Sequence, residues 1–292
     1  MFKPNNWENL IMKIAVLTDS ASNISKEFVQ KHSNLFSVPL VINIDDASYR
    51  DQVEISAQQV YEKLDTHTIL TSLPVMSDIE DVLKEIKKKG FTHLVVINIS
   101  SGLSGTFNSF RIALQKVKDL NVVHYDSKTL GGGLGFLVEY ALELIDKGTS
   151  FDDFVPLLDQ MRFNDSIAFY TINTLKYLKK GGRIGKVEGT IGNILHIKPV
   201  ITVNEDGVYV TLSKAFGLQR SLISMKNILV EKFGTDKIDL IVHYGDDPVT
   251  AEDLGNKLKN VLNVRDMRLQ QLTPVLGVHT GPELFAYVAR RV

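Results

Sequence analysis

Four short runs rich in β-branched residues recur in the first half of the chain: KIAVLTDS (13–20), SVPLVINID (37–45), HLVVINIS (93–100) and NVVHYDS (121–127). Runs of this length, apolar on both faces, read as strands of a parallel sheet covered on two sides. Parallel neighbours need crossover connections, and the intervening segments supply them: NISKEFVQKH, SAQQVYEKL, SDIEDVLKEIKKKG (77–90), the stretch after SGLSG, and a long helix ending near Gly148. Within SDIEDVLKEIKKKG, Ile79, Val82, Leu83 and Ile86 share one helical face. Repeated strand–helix alternation specifies a doubly wound, Rossmann-like α/β/α unit.

The second half is patterned differently. After IAFYTI, the segment KPVITVNEDGVYVTLSK (198–214) reads as two strands around Asp206-Gly207, a hairpin turn signal between valines. LIVHYGD and RLQQLTPVLGVHT add strands, so that His279 ends a strand and Pro282 opens a final helix at its first position. An α+β unit with a mixed sheet follows. A chain of 292 residues exceeds the usual reach of one core, so two domains are expected. The expected limits are 13–160 and 161–292, meeting near the helical segment 150–164, with the unpatterned residues 1–12 as an N-terminal extension.

A formal net charge of −1 leaves no basic footprint for nucleic acid or an anionic membrane. The chain has no cysteine, which removes disulfides, thiol nucleophiles and thiolate metal sites. MFKPNNWENLIMK lacks the apolar core of a signal peptide, and no later segment has the length of apolar chain that spans a bilayer. A cytoplasmic protein without stable membrane insertion is expected. The seven histidines show no H-x-H, H-x-x-x-H or H-E-x-x-H spacing, so no metal site and no cofactor is expected. His93, His124 and His243 fall in strand patterns as core or edge residues.

Small polar clusters stand where ligands bind in open α/β folds, just past strand ends. TDSAS (18–22) follows the first strand and SSGLSGT (100–106) the HLVVINIS strand, while TSLP (71–74) lies in a connection between two helices. Ser104 before a helix, with glycine on either side of the serine-containing turn, suits an anion at a helix amino terminus. The same residues suit plain capping, and the pattern leaves both open. KKGGRIGKVEG (179–189) fails the P-loop spacing and reads as a helix end with Gly181 just past it. GLSG is not the G-x-S-x-G elbow, and no acid is marked to orient His279. A serine-dependent hydrolase acting on a small carboxylate or ester, with Ser104 and His279 in working roles, is the alternative reading.

Taken together, KIAVLTDSASNIS, TSLP, SSGLSGTFNS, YLKKGGRIG, IKPVI and GVHTGPE resemble, in order and spacing, the DegV family of bacterial fatty-acid-binding proteins. The resemblance runs from about residue 13 to the end. It implies a ligand tunnel at the interface of two domains and a long-chain fatty acid inside it. The carboxylate would be held by Thr71 and Ser72, by Ser104 with the N–H groups of Gly105 and Thr106, and by a nearby His279. It further implies a non-catalytic subunit that presents its acid to a separate fatty acid kinase for phospholipid synthesis. Two departures stand out: Val75 replaces a serine in the T-S-x-P-S form, and Phe216 occupies the place of an arginine linked to kinase docking, leaving Lys214 or Arg220 as substitutes.

Overall fold

A computed structural model of the chain describes residues 12–191 and 197–292; of the expected N-terminal extension, residues 1–11 lie outside them. The first half contributes seven strands, β1 (Ile14–Asp19), β2 (Leu35–Val38), β3 (Val41–Ile44), β4 (Ala47–Arg50), β5 (Ile69–Ser72), β6 (His93–Asn98) and β7 (Asn121–Asp126). Four of them form an all-parallel sheet in the order β2-β1-β6-β7. Alternation splits β1 between two layers. Ala15 and Leu17 pack with Ile79, Leu83, Ile86 and Phe110 of helices Met76–Lys88 and Thr106–Leu114, whereas Val16 joins Leu134, Leu137 and Val138 of helix Gly132–Asp146.

The chain leaves β1 on one side for β2 and later returns on the other for β6. The carboxyl ends of β1 and β6 are therefore the switch point at which such sheets open a crevice. Asp19 fastens that point. Its buried carboxyl group accepts hydrogen bonds from Ala21 N–H at 3.0 Å, Ile99 N–H at 2.9 Å and Asn98 Nδ2 at 3.0 Å. Burial pushes its pKa up to about 6, against the lowering effect of those donors.

The second half adds β8 (Ser166–Ile172), β9 (Ile197–Val203), β10 (Tyr209–Phe216), β11 (Lys237–Tyr244), β12 (Asn263–Gln271) and β13 (Leu284–Arg291). They form a mixed sheet, β10-β9-β8-β13-β11-β12, in which only β11 and β12 run parallel. The expected hairpin joins β9 and β10, with Gly207 in the left-handed region at φ 82°. Helices Leu218–Phe233 and Pro248–Lys259 cover one face of this sheet through Leu222, Met225, Leu229 and Leu258.

Several elements differ from the sequence expectation. SVPLVINID is two strands rather than one, because Pro39 lacks the N–H a continuous ladder requires; β2 stays in the parallel sheet while β3 enters a separate antiparallel sheet, β4-β3-β5. TSLP is not a helix–helix connection, since Thr71 and Ser72 end β5, paired with Ile42 and Val41. LTPVLGVHT is not strand: β12 stops at Gln271 and Pro274 opens helix Pro274–Thr280. Nor does Pro282 open a helix, for ELFAYVARR forms β13, hydrogen-bonded on both sides within the mixed sheet. Short apolar runs buried on every side carry no period that separates strand from helix.

The parallel and mixed sheets meet through the SSGLSG loop. Ser100 Oγ donates to Gly207 O at 2.7 Å, and a Cβ at Gly102 would stand 2.5 Å from the same oxygen. A Cβ at Gly207 would run into Ser100 Oγ. The loop glycine is thus needed for packing against the hairpin. We expect Gly207→Ala to cost more stability than Gly90→Ala, which has a similar φ of +76° but nothing within 4 Å. Both pay about 1–2 kcal/mol for the left-handed backbone, and the steric clash should add about 1–3 kcal/mol at Gly207 alone. Equal losses in denaturant titrations would dismiss the close-packing account.

Candidate functional site

At the switch point, side chains from four separated segments line one small space. Thr71 comes from β5, Ser104 from the loop before helix Thr106–Leu114, Arg183 from the loop after helix Lys176–Lys180, and His279 from helix Pro274–Thr280. Apolar side chains, among them Leu40, Ile99, Leu103 and Val275, complete a cavity of about 40 Å³. Leu130, Tyr209 and Leu276 also line a second space of about 40 Å³, walled further by Ala168, Tyr170, Leu284 and Val288. The two adjoin between the parallel and the mixed sheet, polar at one end and largely apolar at the other.

His279 Nε2 lies 2.8 Å from Thr71 Oγ1. Its Nδ1 is shielded from solvent and has no hydrogen-bond partner among the described residues. Burial drives the imidazole pKa down to about 4, with the Arg183 charge adding to the shift. The ring is therefore neutral at pH 7. Gly181 stands directly against it, since a Cβ there would strike Nδ1. The left-handed position after helix Lys176–Lys180 is Gly182, at φ 68°, so Gly181 is required by the histidine and not by the helix end.

Ser104 both caps and lines. Its Oγ accepts the Thr106 N–H at 3.2 Å and lies 2.8 Å from Thr106 Oγ1. The Thr106 amide expected to meet a ligand is thus already occupied, and the Thr106 side chain is buried beneath the helix start. Gly105 is the N-cap, with no room to spare: a Cβ would sit 3.2 Å from Leu73 Cδ2. Ser104 and His279 form no serine–histidine pair, because each is bonded to a different threonine.

Ser72 is not brought to this space. Adjacent strand residues face opposite sides, so with Thr71 turned inward Ser72 turns out and accepts from Asn43 Nδ2 at 2.6 Å. Val75 is the N-cap of helix Met76–Lys88 and gives it no side-chain cap. Two polar residues lining the same space as Thr71 and His279 were not singled out from the sequence, Arg183 and Tyr209. The signal for Arg183 was the basic glycine-rich GGRIG turn, which reads as a solvated helix end until the fold closes it over His279. Tyr209 offered none beyond its place in a hairpin strand.

Comparison with known proteins extends over nearly the whole chain. Residues 13–291 match the family model described as uncharacterised protein, DegV family. A DegV domain-containing protein of Clostridium acetobutylicum is 37% identical over 276 residues, covering 94% of this chain and 98% of that one. One from Staphylococcus aureus is 34% identical, covering 92% and 95%. Among solved structures, a fatty-acid-binding DegV family protein from Thermus thermophilus superposes with a TM-score of 0.89 at 28% identity, covering 96% of this chain and all (100%) of that one. A stearic-acid-binding protein from Eubacterium ventriosum gives a TM-score of 0.85 at 28% identity, covering 95% and 98%.

The buried imidazole fixes a pH dependence. His279 is lowered to about 4 in the folded protein against 6.5 for a free histidine, so the unfolded chain takes up the proton first as the solution is acidified. Its contribution to stability is complete above pH 6.5 and is lost progressively towards pH 4, on the order of 3 kcal/mol. We expect His279→Gln to lose less stability than the wild type over this interval in denaturant titrations. A ring signal assigned to His279, by its loss in His279→Gln, that titrates near 6.5 by NMR would refute the assigned environment.

Proposed function

This chain belongs to the DegV family, and we propose that it binds a long-chain fatty acid between its two domains and carries out no catalysis of its own. One observation carries the proposal: Thr71, Ser104, Arg183 and His279 converge from distant segments on the polar end of an otherwise apolar path. Arg183 supplies the cation a carboxylate requires, the hydroxyls supply neutral donors, and the apolar space takes the tail. Relatives of known structure described as fatty-acid-binding support it. We place the domain boundary near residue 160, in the helical segment between β7 and β8.

Burial of about sixteen carbons at roughly 0.8 kcal/mol per CH₂ is worth on the order of 12 kcal/mol before costs, enough to retain the lipid without a strong head-group bond. An acyl chain threads both spaces once Leu130, Tyr209 and Leu276, which line each of them, turn aside. Thr71 and Ser104 remain partly exposed, so the head group stands where a second protein can reach it. A fatty acid kinase is the partner we propose. Phe216, 60% exposed at the end of the edge strand β10, with Lys214 and Arg220 exposed nearby in sequence, is the surface we propose for that contact.

Purified protein is expected to yield about one long-chain fatty acid per chain on organic extraction, read by mass spectrometry. Ser104→Ala and Arg183→Gln should each weaken palmitate binding by about 1–3 kcal/mol, the arginine variant less so at high salt. Ser72→Ala should not, because its hydroxyl faces Asn43. A lipid-free protein that neither binds palmitate nor is stabilised by it would end the proposal. His279→Ala is expected to keep lipid while lowering kinase-dependent acyl phosphate formation, and ester hydrolysis by the wild type alone would favour the hydrolase instead.

A further inference from the structure

Five polar side chains line the inner space, Tyr170, Thr202, Tyr209, His243 and Thr280, and the hydrogen bonds of three of them are satisfied within the protein. Thr202 Oγ1 donates to Ala168 O at 2.8 Å and Thr280 Oγ1 to Leu276 O at 3.3 Å. His243 Nε2 accepts from Gly132 N–H at 3.0 Å, which leaves the proton on Nδ1 to face Gln270 O at 3.2 Å. Tyr170 differs. Strand alternation in β8 sends Phe169 to the helix-covered face and Tyr170 to the cavity, where its buried hydroxyl has no hydrogen-bond partner among the described residues. The Tyr209 ring packs edge-on against it, centroids 5.6 Å apart, and the Tyr209 hydroxyl is near enough to add to burial in holding the phenol's pKa up, though the two make no hydrogen bond of normal geometry.

A buried phenol normally finds a partner, and an apolar wall gains nothing from an idle hydroxyl that phenylalanine would not give. On the premise that the chain binds fatty acids, we propose that Tyr170 donates to an oxygen carried along the acyl chain, making the inner space a subsite for hydroxy or oxo long-chain acids. The carboxylate at Thr71, Ser104 and Arg183 fixes one end, so only an oxygen at a matching distance along the chain meets the phenol.

The test measures affinities of stearate and of a positional series of hydroxystearates for the wild type and for Tyr170→Phe, with melting temperatures to confirm that both fold. One hydroxystearate is expected to bind the wild type about tenfold more tightly than it binds Tyr170→Phe. Stearate should bind the two proteins about equally, because the phenol is without a partner whether or not an unsubstituted chain is present. Equal hydroxystearate-to-stearate ratios in the two proteins, for every isomer, would overturn the subsite. Absence of stearate binding by the folded wild type would instead overturn the fatty-acid premise.

Discussion

The site depends on how helix Pro274–Thr280 is held. The amino terminus of a helix leaves N–H groups without partners, and here side chains from the other half of the chain satisfy two at its start. Thr273 N–H donates to Asn23 Oδ1 at 2.8 Å and Val275 N–H to Asp51 Oδ1 at 2.9 Å. Asn23 adopts the left-handed conformation, at φ 57°, in making this contact. Asp51 is buried deeply enough that its pKa rises to about 7, despite the hydrogen bonds that favour its ionised form. Near the far end of the same helix His279 meets Thr71. Three bonds across the interface thus set the position of the imidazole.

Close approach of backbone to side chain completes the arrangement. Gly132 lies against His243, Gly181 against His279 and Gly102 against Gly207, each too near for a Cβ. Further along the same face of helix Gly132–Asp146, charge does the corresponding work. Arg268 pairs with Glu139 through both nitrogens at 2.6 and 3.0 Å, and Arg290 reaches Glu143 at 2.6 Å and Asp239 at 3.2 Å. The two guanidinium groups flank the Phe136 ring at 5.2 and 4.9 Å. A helix from the first half is thereby fixed to the mixed sheet of the second, and the cavities lie between these fastenings.

The legibility of the sequence followed burial. Strands covered on both faces, such as β1 and β6, are continuous apolar runs, and the helix Met76–Lys88 shows one apolar stripe; both were plain. PVLGVHT and ELFAYVARR are apolar in sequence and buried on all sides, one a helix and the other a strand, and neither periodicity nor proline separated them. Thr71, Ser104 and His279 were picked out from strand ends and from family resemblance. Ser72 was grouped with them because neighbours in sequence share a motif, whereas neighbours on a strand face opposite ways. Arg183 was passed over because a basic glycine turn looks solvated until another helix packs over it.

By itself, then, the sequence determined what period and composition control: alternating strands and helices, a hairpin at Asp206-Gly207, a parallel sheet followed by a mixed one, and family membership through motifs in order. These are local properties, or consequences of burying one face at a time. Tertiary structure alone decided which hydroxyl of Thr71-Ser72 turns inward, that Arg183 lines the space beside His279, and that Tyr170 faces the inner cavity without a hydrogen bond among the described residues. Those outcomes rest on contacts between residues a hundred or more positions apart, such as Thr71 with His279 at a separation of 208. No pattern along the chain encodes a distance of that kind; it exists only once two sheets, each specified locally, are packed face to face.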